Sequence, residues 1–160
     1  MSSNTIQTGT EIARSCESAA VPCCAYFVRM FKPQFAGLVA RGEKLQTVRP
    51  TPKRMPKIGD RISLRCWNGK PYRSKQHVLR EAEIIEVLPL EIQYDYSVHL
   101  DGRKLTSSEC SAFAIADGFG SPTELYNWFE ETHGLPFHGV LIRWTNAKAQ
   151  PTTPPLHDHE

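Results

Sequence analysis

No stretch of this chain approaches the roughly 18 consecutive apolar residues of a membrane-spanning helix, and Met1-Ser2-Ser3-Asn4-Thr5 lacks the basic-then-apolar layout of an export signal. A soluble, cytoplasmic protein with no membrane partner is therefore expected. A cysteine framework is missing too. Cys16, Cys23, Cys24, Cys66 and Cys110 are odd in number and show no repeated spacing, and no Cys-x-x-Cys occurs. That pattern speaks against disulfide bracing and fits idle or buried thiols in a reducing compartment. There is no internal repeat, and no cofactor or metal is expected. The closing His157-Asp158-His159-Glu160 carries ligand-type side chains, but on an unfixed tail they would have to be ordered before they could hold an ion.

The net charge of +2 hides a marked asymmetry. From Arg41 to Arg80 there are twelve Arg and Lys against only Glu43 and Asp60, a net of +10, while the rest of the chain holds seven bases against fifteen acids, a net of −8. A block of this size exceeds what solvation asks for and predicts a positive face that attracts phosphate.

The length suits one domain. Residues 1–24 read as a mobile arm ending near Pro22, and the proline-rich 146–160 as a disordered tail. Between them, Ala25 to Phe31 alternates as a strand, and Pro33 opens a helix whose Phe35, Leu38 and Val39 recur at helical spacing until Gly42. Leu45 to Arg49 returns as a strand. Pro50, Pro52 and Pro56 then break the chain into a loop, 50–58, bearing Lys53 and Arg54. Arg61 to Trp67 alternates again, which puts Arg61 and Arg65 on one side. A basic loop over 68–76, with Tyr72 and Arg73, leads to a strand from Val78 to Leu88 whose expected partner is Ile92 to His99. Asp101-Gly102 marks a turn and Ser107-Ser108-Glu109 opens a helix to Ala116. The clearest helix start is Ser121-Pro122, with Glu124 placed as the returning carboxylate of a capping box. His138 to Trp144 closes the fold as a strand. Strands outnumber helices and do not alternate with them, so the expectation is an α+β fold: a small, mostly antiparallel, barrel-like sheet with two or three helices at one end.

The chemistry concentrates after Gly42, which allows the helix to pass tightly into the next strand. Thr47 and Arg49 lie two apart and so point the same way. A hydroxyl and a guanidinium would line one wall, with the compact Lys44 charge beside them, tuned by crowding from Arg49 and Arg61. Trp67 and Tyr72 among basic residues could stack on bases, although aromatics at strand ends more often serve the core or rim. His133 and His138 have no partner at catalytic or metal spacing and read as structural.

The pattern Gly42-x-Lys44-x-x-Thr47-x-Arg49 resembles the signature of the ASCH domain family. Phe31-Lys32-Pro33-Gln34-Phe35 before it, Gly59-Asp60-Arg61-Ile62 after it, Asp117-Gly118-Phe119, and Phe137 to Trp144 are similar to that family in place and spacing, especially to its phage and bacterial members. The resemblance covers Tyr26 to Trp144 and implies a domain over 25–145. The implied fold is a PUA-like β-barrel with a helix-bordered cleft, binding RNA or modified nucleosides. Some small members hydrolyse N4-acetylcytidine with a Lys, a Thr and an acid. Lys44 and Thr47 match the first two, and Asp117 is the best positional match for the acid, one carbon shorter than the family's glutamate, with Glu109 and Glu124 as rivals.

Two functions follow. In the first, a basic cleft binds RNA, single-stranded nucleic acid or a modified nucleoside through Lys32, Lys44, Arg49, Lys53, Arg54, Arg61, Arg65, Trp67 and Arg73. In the second, Thr47 is a nucleophile, Lys44 its base and Asp117 the polarising acid of an amidohydrolase. A basic face for an acidic protein partner is a third reading. Oligomeric state is not legible.

Overall fold

The computed structural model describes residues 24–146. The expected N-terminal arm and C-terminal tail lie outside the described residues except for Cys24 and Asn146, and with them lie Cys16, Cys23 and the terminal His-Asp-His-Glu. Ten elements follow in order: β1 (Tyr26–Phe31), α1 (Pro33–Arg41), β2 (Gln46–Pro50), β3 (Arg61–Trp67), β4 (Gln76–Ile92), β5 (Val98–Leu100), β6 (Arg103–Lys104), α2 (Ser107–Ala116), α3 (Pro122–His133) and β7 (Phe137–Trp144). No described helix is long and apolar enough to cross a membrane.

The fold is α+β, built on one mixed seven-stranded sheet. β4 is its spine. Gln76–Glu83 pairs antiparallel with β3, and Ile84–Ile92 pairs antiparallel with β7. β1 joins the far side of β3 in parallel, β2 joins β7 antiparallel, and β5 and β6 branch from the end of β4. The path β1–β3–β4–β7–β2 curls without closing through strand pairing: among the described residues β1 and β2 each pair with one strand. Their meeting point is a side chain, since the Arg49 guanidinium on β2 donates to the Met30 carbonyl on β1 at 2.7 Å.

Two strand expectations need correction. The run read as ending at Leu88 continues to Ile92, and Ile92 to His99 is not one strand but the end of β4, a turn, and β5. The ladder passes through Pro89: its carbonyl accepts from the Asp101 N–H at 2.9 Å, and Val140 pairs opposite it. The reversal sits at Gln93–Ser97, where Tyr96 takes φ +62°.

The helix starts also differ from expectation in an instructive way. A reciprocal capping box occurs at Thr106–Glu109, where the Thr106 hydroxyl accepts from Glu109 N–H and the Glu109 carboxylate from Thr106 N–H. At Ser121 only half of it forms: the hydroxyl accepts from Glu124 N–H, but the Glu124 carboxylate reaches back to Gly120 N–H at 2.8 Å. Both glutamates are thus occupied at helix starts.

The core gathers Ile62, Leu64, Ile84, Leu90, Ile92, Leu141, Ile142 and Trp144 from the sheet, with Val39, Leu125 and Phe129 from the helices. Helix ends position the site. Residues 38–43 close α1 with Gly42 N–H to the Val39 carbonyl and Glu43 N–H to the Leu38 carbonyl. Residues 114–119 close α2 with Gly118 N–H to the Ile115 carbonyl and Phe119 N–H to the Ala114 carbonyl. These are two copies of the Schellman closure, each turning on a glycine at positive φ, +76° at Gly42 and +94° at Gly118.

Candidate functional site

The two closures deliver the site. Just past the first, Lys44 enters the interior, 2 % exposed; at the second lies Asp117, 4 % exposed. The Lys44 ammonium donates to the Asp117 Oδ1 at 3.0 Å and also to the Asp117 main-chain carbonyl. It therefore neutralises a carboxylate and satisfies one of the carbonyls that α2 leaves open at its end. Its Nζ also lies 5.2 Å from the Phe35 ring centroid and 6.0 Å from that of Phe31. The shorter aspartate reaches the lysine without difficulty.

Burial dominates the electrostatics. It pulls the Lys44 amine below its ordinary range, with Asp117 opposing and Arg49 adding to the fall. It pushes the Asp117 carboxyl above its ordinary range, with Lys44, Arg49 and Gln46 opposing. The expected crowding by Arg61 does not arise. Arg61 pairs with Tyr26 at the opposite end of β1 from Phe31, and it is exposed.

Thr47 sits in β2, 4 % exposed, and its hydroxyl makes no hydrogen bond to any described residue. Lys44 gives its resolved hydrogen bonds to Asp117, not to Thr47. Arg49, on the same face of β2, lays its guanidinium carbon 5.1 Å from the Phe31 ring centroid and leaves Nε buried and unpaired.

Lys44, Thr47, Arg49 and Asp117 share one pocket, of about 650 Å³ with the open space at its mouth included. Phe31 and Phe35, Phe119 and Trp128 form its walls, with Lys32 and His133 also lining it. Lys32 holds its ammonium 5.3 Å from the Trp128 ring centroid. Burial, then Arg49 and Lys32, push the His133 imidazole below its ordinary range and favour the neutral ring.

The other expected nucleic-acid contacts do not line this pocket. Lys53 and Arg73 are exposed loop residues. Arg54 packs its guanidinium carbon 5.5 Å from the Phe27 ring centroid. Arg65 is tied down, donating to Ser63 Oγ (2.8 Å), Gln76 Oε1 (3.0 Å) and Tyr26 Oη (3.2 Å). Trp67 pairs with Tyr72 at 5.2 Å in the β3–β4 hairpin. Of the two rival acids, Glu109 is engaged by Arg103 and its own cap, and Glu124 by its helix start.

Sequence reading missed the aromatic walls and His133. Phe31 and Phe35 flank Lys32-Pro33, and Trp128 lies on the apolar face of α3. Each carried a sufficient explanation as core, and only the packing of α1 and α3 brings Phe35 and Trp128 together, their ring centroids 6.3 Å apart.

No family model matches the chain, and no curated protein matches it. Among solved structures, an ASCH domain from Lactobacillus crispatus is similar at 20 % identity and a TM-score of 0.46, covering 76 % of this chain and 79 % of that one.

Proposed function

We propose that this chain is an ASCH-type, PUA-like domain that binds RNA or a modified nucleoside, taking one base into the pocket between α1, α3 and the β1–β2 gap. The observation that carries this is the combination of aromatic walls with a polar floor. Phe31, Phe35, Phe119 and Trp128 line it with aromatic surface that suits a planar heterocycle, while Lys44, Thr47, Arg49 and Asp117 supply donors and acceptors for its edge. A base drawn from a strand costs only a few kcal/mol to unstack, least when it is already single-stranded. The exposed cations of loops 50–58 and 68–76 then serve the backbone on either side. Titration of the protein with N4-acetylcytidine, cytidine and a short single-stranded RNA, followed by tryptophan fluorescence and by backbone amide shifts of residues 44–49, tests the reading. Saturable binding is expected, with the RNA arm weakening steeply between low and moderate salt. Absence of saturation by all three sinks it.

A second reading, amidohydrolysis of an N4-acylated cytidine, is favoured by a Thr47 hydroxyl with no partner among the described residues, lining the same pocket as a lysine whose charge is disfavoured by burial. Thr47 Oγ would attack the acyl carbonyl as its proton passes to a neutral Lys44 amine. The C4 nitrogen would leave with a proton, and water would then release the acid from Thr47. Turnover of N4-acetylcytidine to cytidine and acetate, lost by at least about a thousandfold in Thr47→Ala while nucleoside affinity persists, is the expected signature. Binding without turnover leaves the first reading alone.

A further inference from the structure

Alternation along β1 places Phe27, Arg29 and Phe31 on one face. Guanidinium groups follow that face. The Arg29 Cζ lies 5.2 Å from the Phe27 ring centroid, the Arg54 Cζ 5.5 Å from the same centroid, and the Arg49 Cζ 5.1 Å from that of Phe31. Phe31 is itself a wall of the pocket. The row thus runs from the exposed loop 50–58 to the polar floor.

None of these three arginines has a carboxylate within ion-pair distance among the described residues. Arg29 and Arg49 each donate to a main-chain carbonyl, Val28 at 2.9 Å and Met30 at 2.7 Å, and Arg49 keeps a buried Nε unpaired. The carboxylate in the field of Arg54, Asp60, already accepts from the main-chain N–H groups of Ala25 and Lys57, both at 2.8 Å. Burial disfavours the charge on half-buried Arg29 and on more deeply buried Arg49, where Arg29 adds repulsion and Asp117 offsets part of it. Like charges withdrawn from water in this way are costly, and cation–π contact with two phenylalanines offsets only part of the cost. An anion offering several oxygens to several forks would remove the rest.

We infer that Arg29, Arg49 and Arg54 form a phosphate subsite beside the pocket, so that the ligand is a nucleotide, free or within a strand, and not a bare nucleoside. This rests on the base-pocket reading and narrows its substrate class. It also assigns a role to Arg29, which the motif does not include, and gives none to Arg61.

The test compares four probes on the full chain by calorimetry: N4-acetylcytidine, its 5′-monophosphate, a short RNA carrying one N4-acetylcytidine, and inorganic phosphate. In parallel, the arginine Nε–Hε resonances are followed by NMR. The monophosphate is expected to bind at least about tenfold more tightly than the nucleoside, and Arg29→Gln with Arg54→Gln to cut that preference to about unity while leaving nucleoside affinity in place. An RNA preferred over the monophosphate identifies a strand as the source of the phosphate, and the reverse identifies a free nucleotide. Arg29→Lys, which keeps the charge, controls for a folding defect and is expected to retain part of the preference. Equal affinity for nucleoside and monophosphate, unchanged in the Gln variants, overturns the subsite while the base pocket stands. Shifts of the Arg29 and Arg49 Nε–Hε signals by inorganic phosphate, without any nucleoside binding, would keep the anion site and refute the base pocket. No response to any probe overturns both.

Discussion

Helix α2 carries Glu109 in its first turn and Asp117 just beyond its last, and the two carboxylates sit in opposite surroundings. Glu109 is half-exposed at the end where a helix favours negative charge. It pairs with Arg103 and accepts from Thr106 N–H, which together hold its carboxyl down at about 2. Asp117 is buried at the end where a helix disfavours negative charge, and burial pushes its carboxyl up. Every local preference agrees at the first end, and two are violated at the second. A fold keeps such a violation only where neighbouring groups compensate, and here the compensation is the Lys44 ammonium. The polar chemistry gathers at the end where the local rules fail.

The severest way to break the contrast is to remove Lys44. In Lys44→Ala the Asp117 carboxylate and the open end of α2 lose their buried partner, and the expected loss is about 3–5 kcal/mol in urea unfolding. The double variant Lys44→Met with Asp117→Asn should be less damaged than the single one, because no uncompensated charge remains. A cost for Lys44→Ala below about 1 kcal/mol would show that the pair is solvated and the pocket floor wetter than its burial implies.

How much of this was legible follows from the same distinction. The start of the site could be read because its signals are local: Pro33 opening α1, Gly42 closing it, and the two-residue spacing of Thr47 and Arg49. Asp117 could be matched by position but not given a partner, since its link to Lys44 spans most of the domain and depends on two helix closures converging. The aromatic walls were hidden for the reason already given by packing: Phe35 and Trp128 look like ordinary core in a one-dimensional reading. Charge counting carries no position. It weighted Arg61 and Arg65 equally with Arg49, whereas β3 turns Arg65 into a brace between β1 and β4 and leaves Arg61 at the remote end.

A smaller effect separates pocket from surface. Trp128→Ala removes one wall of the pocket and should weaken nucleoside binding by roughly 1–3 kcal/mol, with oligonucleotide binding falling in step. Arg73→Gln, on the exposed hairpin, should leave nucleoside affinity alone and make the salt dependence of oligonucleotide binding shallower by about one unit of slope. Calorimetry at three salt concentrations checks both. Equal effects of the two substitutions on the free nucleoside would erase the distinction.

The finest test titrates the two ends of α2. The Glu109 carboxyl is depressed from 4.5 to about 2 in the fold, so its contribution is complete above 4.5 and is lost as pH falls through about 2. Asp117 is raised above 3.8, so its contribution is complete below 3.8 and is lost as pH rises through the folded value. In acid the two therefore oppose each other. Thermal unfolding followed from pH 6 to pH 2 should show a flatter acid limb in Glu109→Gln and a steeper one in Asp117→Asn. Parallel limbs for wild type and both variants would mean that neither carboxyl titrates differently in the folded and unfolded chain, and the electrostatic asymmetry of α2 would fall.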